Sequence, residues 1–124
     1  MMNTILIIDD NQDYRSDLAE VLGFENYATL QAENGLIGWE MIRQHLPNLI
    51  ICDIDMPVMD GLEVLKRTKT DSLLAKIPFL LVSGRKDKRT IKIATDLGAE
   101  QYLLKPFMIA DFLSVIGSVL NSLV

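Results

Sequence analysis

Four short apolar runs in this chain each end in a polar residue: Ile5 to Ile8 before Asp9 and Asp10, Leu49 to Cys52 before Asp53, Phe79 to Val82 before Ser83, and Leu103 with Leu104 before Lys105. Such runs, separated by stretches long enough for a helix, read as strands of a parallel sheet covered on both faces. Parallel strands end at one common edge. Two adjacent acids, a third acid, a hydroxyl and an ammonium then converge outside the carboxyl edge, where open α/β sheets bind ligands.

The length of 124 residues fits one domain, spanning 1–124. A domain of this size buries roughly 65% of its unfolded surface, enough for a core without covalent staples. The one cysteine, Cys52, excludes a disulfide framework and falls inside an apolar run, so it reads as a small buried hydrophobe. Residues Met1 to Asp10 lack a basic leader, and their apolar run is too short for a signal peptide or a membrane span. A soluble, cytoplasmic protein without membrane contact is the expectation. A net charge of -5 argues against direct nucleic-acid binding.

The pattern predicts five alternations of strand and helix, a doubly wound five-stranded α/β domain. The first helix is expected over about Asn11 to Leu22, with Leu18, Val21 and Leu22 inward and Gly23 as its stop. A second strand follows at Tyr27 to Gln31. Asn34 caps a helix that turns Ile37, Met41 and Ile42 inward and ends before Pro47, and the third strand is Asn48 to Asp53. Gly38 inside that helix predicts a close approach to a neighbour. A third helix from Gly61 to Lys69, a fourth strand from Ile77 to Ser83, and a fourth helix from Thr90 to Leu97 closed by Gly98 come next. Gln101 to Leu104 is the fifth strand and Phe107 to Leu123 the last helix.

Asp9, Asp10 and Asp53 carry the chemistry. Two like charges about 4 Å apart repel by about 4 kcal/mol at an effective dielectric of 20, so three clustered carboxylates call for a cation or protons. A hard divalent ion such as Mg2+ suits them, because it takes one or two carboxylates and keeps positions free for water and phosphate oxygens. Lys105 adds a fixed positive charge and Ser83 a hydroxyl, both suited to the oxygens of a phosphoryl group. Asp53, at the end of the central run, is then the candidate nucleophile for forming an aspartyl phosphate. There is no Walker loop, no Gly-rich nucleotide fingerprint and no Ser, His, Asp set; the single histidine, His45, reads as an ordinary helix-end residue. The phosphoryl donor must come from elsewhere.

These residues resemble, over essentially the whole chain, the receiver domain of two-component response regulators, the flavodoxin-like (βα)5 fold of the CheY-like superfamily. The matching pieces are Asp9 with Asp10, the segment from Asp53 through Asp55, Met56, Pro57 and Asp60 to Gly61, Ser83 with Gly84, and Lys105 with Pro106 and Phe107. The resemblance implies Asp53 as phosphoacceptor and a Mg2+ site made by Asp9, Asp10, Asp53 and the backbone carbonyl of Asp55. It further implies Ser83 as switching hydroxyl, Tyr102 as an aromatic that turns inward with it, and a cis peptide before Pro106 that aims Lys105. The partner implied is a histidine kinase or a histidine phosphotransfer protein, and the domain would be a switch with only self-directed phosphotransfer and autodephosphorylation, not an enzyme. In this family Asp55 and Arg85 flank the path of the attacking water, and an acid facing a base there suggests an ion pair across the mouth of the site.

Two other classes share features of this sequence. The string Asp53, Ile54, Asp55 also opens haloacid-dehalogenase-like phosphatases, although Met56 and Pro57 depart from that motif and the pair Asp9 and Asp10 stays unexplained by it. Turnover of a small phosphomonoester separates the two. A receiver fold used only as a binding module, without phosphorylation, is the third.

The surface carries a further expectation. Arg85, Lys86, Lys88, Arg89 and Lys92 cluster at the start of the fourth helix, whereas the last helix carries one charge, Asp111. With Phe112, Leu113, Ile116 and Leu120 facing the sheet, Met108, Ile109, Val115 and Leu123 are left to cover the helix edges. The resemblance implies that the face made by the fourth helix, fifth strand and fifth helix docks a downstream partner or a second copy.

Overall fold

The computed structural model describes residues 3–121. Five parallel strands, β1 (Thr4–Ile8), β2 (Ala28–Ala32), β3 (Leu49–Asp53), β4 (Phe79–Ser83) and β5 (Gln101–Leu104), form one sheet in the order β2-β1-β3-β4-β5. Between them run α1 (Gln12–Phe24), α2 (Gly35–His45), α3 (Gly61–Thr70) and α4 (Lys88–Asp96), and α5 (Ile109–Asn121) follows β5. A short 3-10 turn, Leu74–Lys76, precedes β4.

Alternation along the strands divides the core in two. Leu6, Ile8, Ile50, Cys52, Phe79 and Leu81 pack with Ile42, Val64, Leu65 and Ala94, beneath α2, α3 and α4. Ile5, Ile7, Leu49, Ile51, Leu80 and Val82 pack with Leu18, Leu22, Phe112 and Ile116, beneath α1 and α5. Every residue of β4 is buried, as a strand covered on both faces must be. Cys52 lies in the first cluster as a free, buried thiol.

Short polar side chains start the helices. Asn11, Asn34, Asp60 and Asp87 each accept a hydrogen bond from the backbone N–H three residues on, which satisfies one of the unpaired donors of the first turn. The close approach expected at Gly38 is present: a Cβ there would meet the Ile8 side chain at 2.5 Å.

Several boundaries differ from the sequence-based expectation. Gly23 does not stop α1, which runs to Phe24; the left-handed backbone falls at Asn26 (φ 67°). The fourth helix begins at Lys88 because Asp87 caps it, and Gly98 closes it with φ 104°. The last helix begins at Ile109, and residues 105–108, with the cis peptide Lys105-Pro106, lie outside it. On α5 the buried residues are Phe112, Ile116, Val119 and Leu120, with Leu113 only partly covered. Met108 and Ile109 are exposed, Val115 is half-buried, and Leu123 lies outside the described residues. No described helix is long and apolar enough to cross a membrane.

Candidate functional site

The order β2-β1-β3 reverses the direction of winding between β1 and β3, and the carboxyl ends of those two strands border the crevice where such sheets hold ligands. Asp9 follows β1 and Asp53 ends β3. The Asp9 backbone N–H continues the ladder to the Ala32 carbonyl at 3.1 Å, and the Lys105 N–H does the same with Ser83 at 2.9 Å, so both side chains leave rigid backbone. Asp9, Asp10 and Asp53 each offer a carboxylate oxygen within 4.8 Å of the others. Asp9 is buried, Asp53 is partly covered and Asp10 is exposed.

The alternation that splits the core also sorts the site. Asp53 shares parity with Leu49 and Ile51, and Lys105 with Leu103, so these side chains lean toward α1 and α5. Lys105 Nζ lies 3.1 Å from Asp9 Oδ2 and 3.8 Å from Asp53 Oδ2. The other Asp53 oxygen accepts the Ile54 N–H at 2.9 Å. Burial raises the Asp53 carboxyl to about 6, Lys105 pulling it down and Asp9 pushing it further up. A carboxylate that holds its proton more tightly than usual, beside two other acids, marks a site short of positive charge.

Ser83 and Tyr102 have the opposite parity and lean toward α4. Ser83 is fully buried, and its Oγ accepts the Arg85 N–H at 3.1 Å. Tyr102 packs against the α2, α3 and α4 core, and its hydroxyl donates to the Arg85 carbonyl at 2.9 Å. The Arg85 guanidinium grips Asp55, its Nε lying 3.1 and 3.0 Å from the two carboxylate oxygens. The ion pair expected across the mouth of the site is therefore formed. Its hydrogen bonds from Arg85 hold the Asp55 carboxyl below the usual range. With both side chains about half-exposed, at 50% and 56%, the pair is a positional device more than a stabilising one.

The sequence reading passed over two contributors, Tyr14 and Arg15, and gave Phe107 only as a motif residue beside Lys105. Tyr14, in the first turn of α1, holds its ring 4.2 Å from Lys105 Nζ. Arg15 donates through Nη1 to the Asp9 carbonyl at 2.7 Å. Phe107 stacks on Phe112 with ring centres 5.2 Å apart and meets Tyr14 edge-on at 6.3 Å. Beside them opens a largely apolar cleft of about 460 Å³ lined by Tyr14, Leu18, Val21, Pro106, Phe107 and Ile109, with Asp17 and Lys105 as its charged members. A tyrosine three residues past a helix cap gives no signal of its own; only the path of α1 over β1 brings it to a lysine 91 positions later (105 − 14).

The donor set fits a hard divalent cation: three carboxylates, one of them raised by burial, and no imidazole or thiolate at the cluster among the described residues.

Comparison with known proteins agrees with this geometry. The family model described as Response regulator receiver domain matches residues 5–117. "Sporulation initiation phosphotransferase F" of Bacillus subtilis is 38% identical over 112 residues, covering 90% of this chain and 89% of that protein. "Histidine kinase P4" of Formosa agariphila is 34% identical over 120 residues; these cover 97% of this chain but only 9% of that protein, so the similarity concerns a small part of it. Among solved structures, a CheY-like response regulator receiver domain protein from Methanospirillum hungatei superposes with a TM-score of 0.93 at 27% identity, covering 98% of this chain and 96% of the other. With its strand order, its acidic cluster and a family match across more than nine-tenths of its length, the chain belongs to the response regulator receiver domain family of two-component signalling.

Proposed function

We propose that this chain is a phosphorylation-driven switch that accepts a phosphoryl group on Asp53 from a histidine kinase or a histidine phosphotransfer protein. The observation that carries this reading is the setting of the Asp53 carboxylate, with one oxygen held by the Ile54 N–H and the other turned toward the Lys105 ammonium inside an acidic cluster. The Asp53 oxygen attacks phosphorus, a P–O bond forms as the P–N bond of phosphohistidine breaks, and the imidazole leaves with a proton. Lys105 stabilises the charge on the transferred oxygens. Hydrolysis returns the carboxylate and inorganic phosphate, which makes the activity self-directed.

Asp9, Asp10 and Asp53, with the backbone carbonyl of Asp55, would hold a Mg2+ ion. When bound, it supplies counter-charge to the carboxylates and to the phosphoryl oxygens. Ser83 and Tyr102 form the switch. The Ser83 oxygen accepts the Arg85 N–H, which leaves its own O–H to donate to a new acceptor on Asp53; drawing the hydroxyl toward that acceptor pulls on Arg85, whose carbonyl holds the Tyr102 hydroxyl. The face of α4, β5 and α5, where Ile93, Leu104, Met108 and Ile109 are exposed, is where a downstream partner or a second copy would sense the change. A cytoplasmic setting suits such a partner set.

Intact-mass analysis after incubation with acetyl phosphate and Mg2+ tests the acceptor. One phosphoryl group on the parent and none on Asp53→Asn supports it; equal labelling of both refutes it. Sedimentation with beryllofluoride and Mg2+ tests the output face. Self-association weakened by Met108→Glu is the expected result, and identical behaviour of both proteins with and without beryllofluoride removes the homodimer.

A further inference from the structure

A lysine on a flexible four-carbon stem is a poor fixed charge unless something confines it. Lys105 Nζ has Asp9 Oδ2 at 3.1 Å, Asp53 Oδ2 at 3.8 Å and the Tyr14 ring at 4.2 Å from its centre. The two carboxylates draw it inward and the ring closes another side. Tyr14 is itself held from two directions. Its backbone N–H donates to the Asn11 side chain at 3.0 Å, and the Asn11 N–H donates to Asp9 Oδ1 at 2.9 Å, so the helix cap ties Tyr14 to Asp9. Its ring meets the edge of Phe107, which stacks on the fully buried Phe112. An aromatic ladder thus runs from the core under α5 to the ammonium.

We propose that Tyr14 is a positioning residue for Lys105, using the face of its ring to hold the ammonium between Asp9 and Asp53 before a phosphoryl group arrives. An aromatic face attracts a cation through its quadrupole, which an aliphatic side chain of similar bulk cannot do. The hydroxyl is not required. Burial, reinforced by Asp9 and Asp53, pushes it well above its usual range, so the ring remains neutral. Phenylalanine is expected to substitute and leucine to fail.

The kinetic consequence rests on Asp53 being the phosphoacceptor, whereas the placement of Lys105 does not, and the experiment reads both. In metal-free protein, NMR of the lysine ε-methylene protons is expected to show Lys105 displaced upfield by the ring current in the parent and in Tyr14→Phe, and returned to the position of ordinary lysines in Tyr14→Leu. With acetyl phosphate and Mg2+, Tyr14→Leu is expected to lower the maximal labelling rate by about three- to tenfold at an unchanged half-saturating concentration, the range a contact of this type commands. Tyr14→Phe should restore the rate to within about twofold of the parent. In a Lys105→Ala background the Tyr14→Leu change should have no further effect, because the residue acts through the lysine. Should Tyr14→Leu fold poorly, Tyr14→Met takes its place. Lys105 protons that stay in the same position in the parent and the leucine variant overturn the proposal, as does a rate loss that persists undiminished without Lys105. A parent that takes no label while its Lys105 protons behave as stated overturns the phosphoacceptor reading and leaves the positioning intact.

Discussion

The Lys105 ammonium stands 3.8 Å from Asp53 Oδ2, beyond hydrogen-bond distance, because it is bonded to Asp9 Oδ2 at 3.1 Å instead. One cation is shared between two carboxylates, and the larger share goes to the more buried acid. Asp53 keeps a burial cost that its neighbours do not cancel, which is why its carboxyl rises to about 6 from an ordinary 3.8.

That rise fixes the sign of a pH effect. The folded metal-free protein binds the Asp53 proton more tightly than the unfolded chain does, so this group's contribution to stability falls as pH climbs from about 4 to about 6. At neutral pH the burdened carboxylate costs about 3 kcal/mol. Urea unfolding in EDTA at about pH 5 and about pH 7.5 should show Asp53→Asn more stable than the parent at both, with a margin at the lower pH roughly half of that at the higher. An Asn variant equal to or less stable than the parent at the higher pH contradicts the argument.

Mg2+ should act on the same strain. At about 100 times its dissociation constant it should stabilise the parent by about 2.7 kcal/mol, a rise in Tm that EDTA reverses. Asp10 is exposed and adds its charge to two other carboxylates, so Asp10→Ala should abolish the rise while leaving the metal-free protein no less stable. An equal Mg2+ response in both proteins would remove Asp10 from the site.

Two glycines should respond differently to the same added methyl group. A Cβ on Gly61 would be driven into the Asp53 carbonyl and the following backbone, which cannot yield without moving Asp53 itself. Gly61→Ala is expected to destabilise by about 1–3 kcal/mol or more and to slow labelling. On Gly38 the three nearest atoms to the added methyl group all belong to the Ile8 side chain, so the strain falls on a side chain and not on backbone, and the helix gains up to about 1 kcal/mol in propensity. Gly38→Ala should therefore cost less and leave labelling unchanged; the opposite order would contradict the packing described.

Asp9, Asp10, Asp53, Ser83 and Lys105 were legible in the sequence because each ends an apolar run, and a parallel sheet carries all such ends to one edge. The sides they take were harder to see. Strand parity sends Asp53 and Lys105 toward α1 but Ser83 and Tyr102 toward α4, so the hydroxyl expected beside the acid bonds to Arg85. The helix caps Asp60 and Asp87 had a readable signal, a short polar residue before a helical stretch. Tyr14 had none, since its meaning depends on which way α1 crosses the sheet. The last helix was drawn too long at its start because nothing local marks the loop of residues 105–108 apart from Pro106 itself.

The most direct test of the account is to trap the acyl phosphate chemically and find where it sits. After labelling with acetyl phosphate and Mg2+, borohydride reduction converts a phosphorylated aspartate to homoserine, and peptide mass mapping locates it. The account predicts reduction at Asp53 alone, lost in Asp53→Asn. Homoserine at Asp9, Asp10 or Asp55 in the parent, or no reducible aspartate at all, would contradict it.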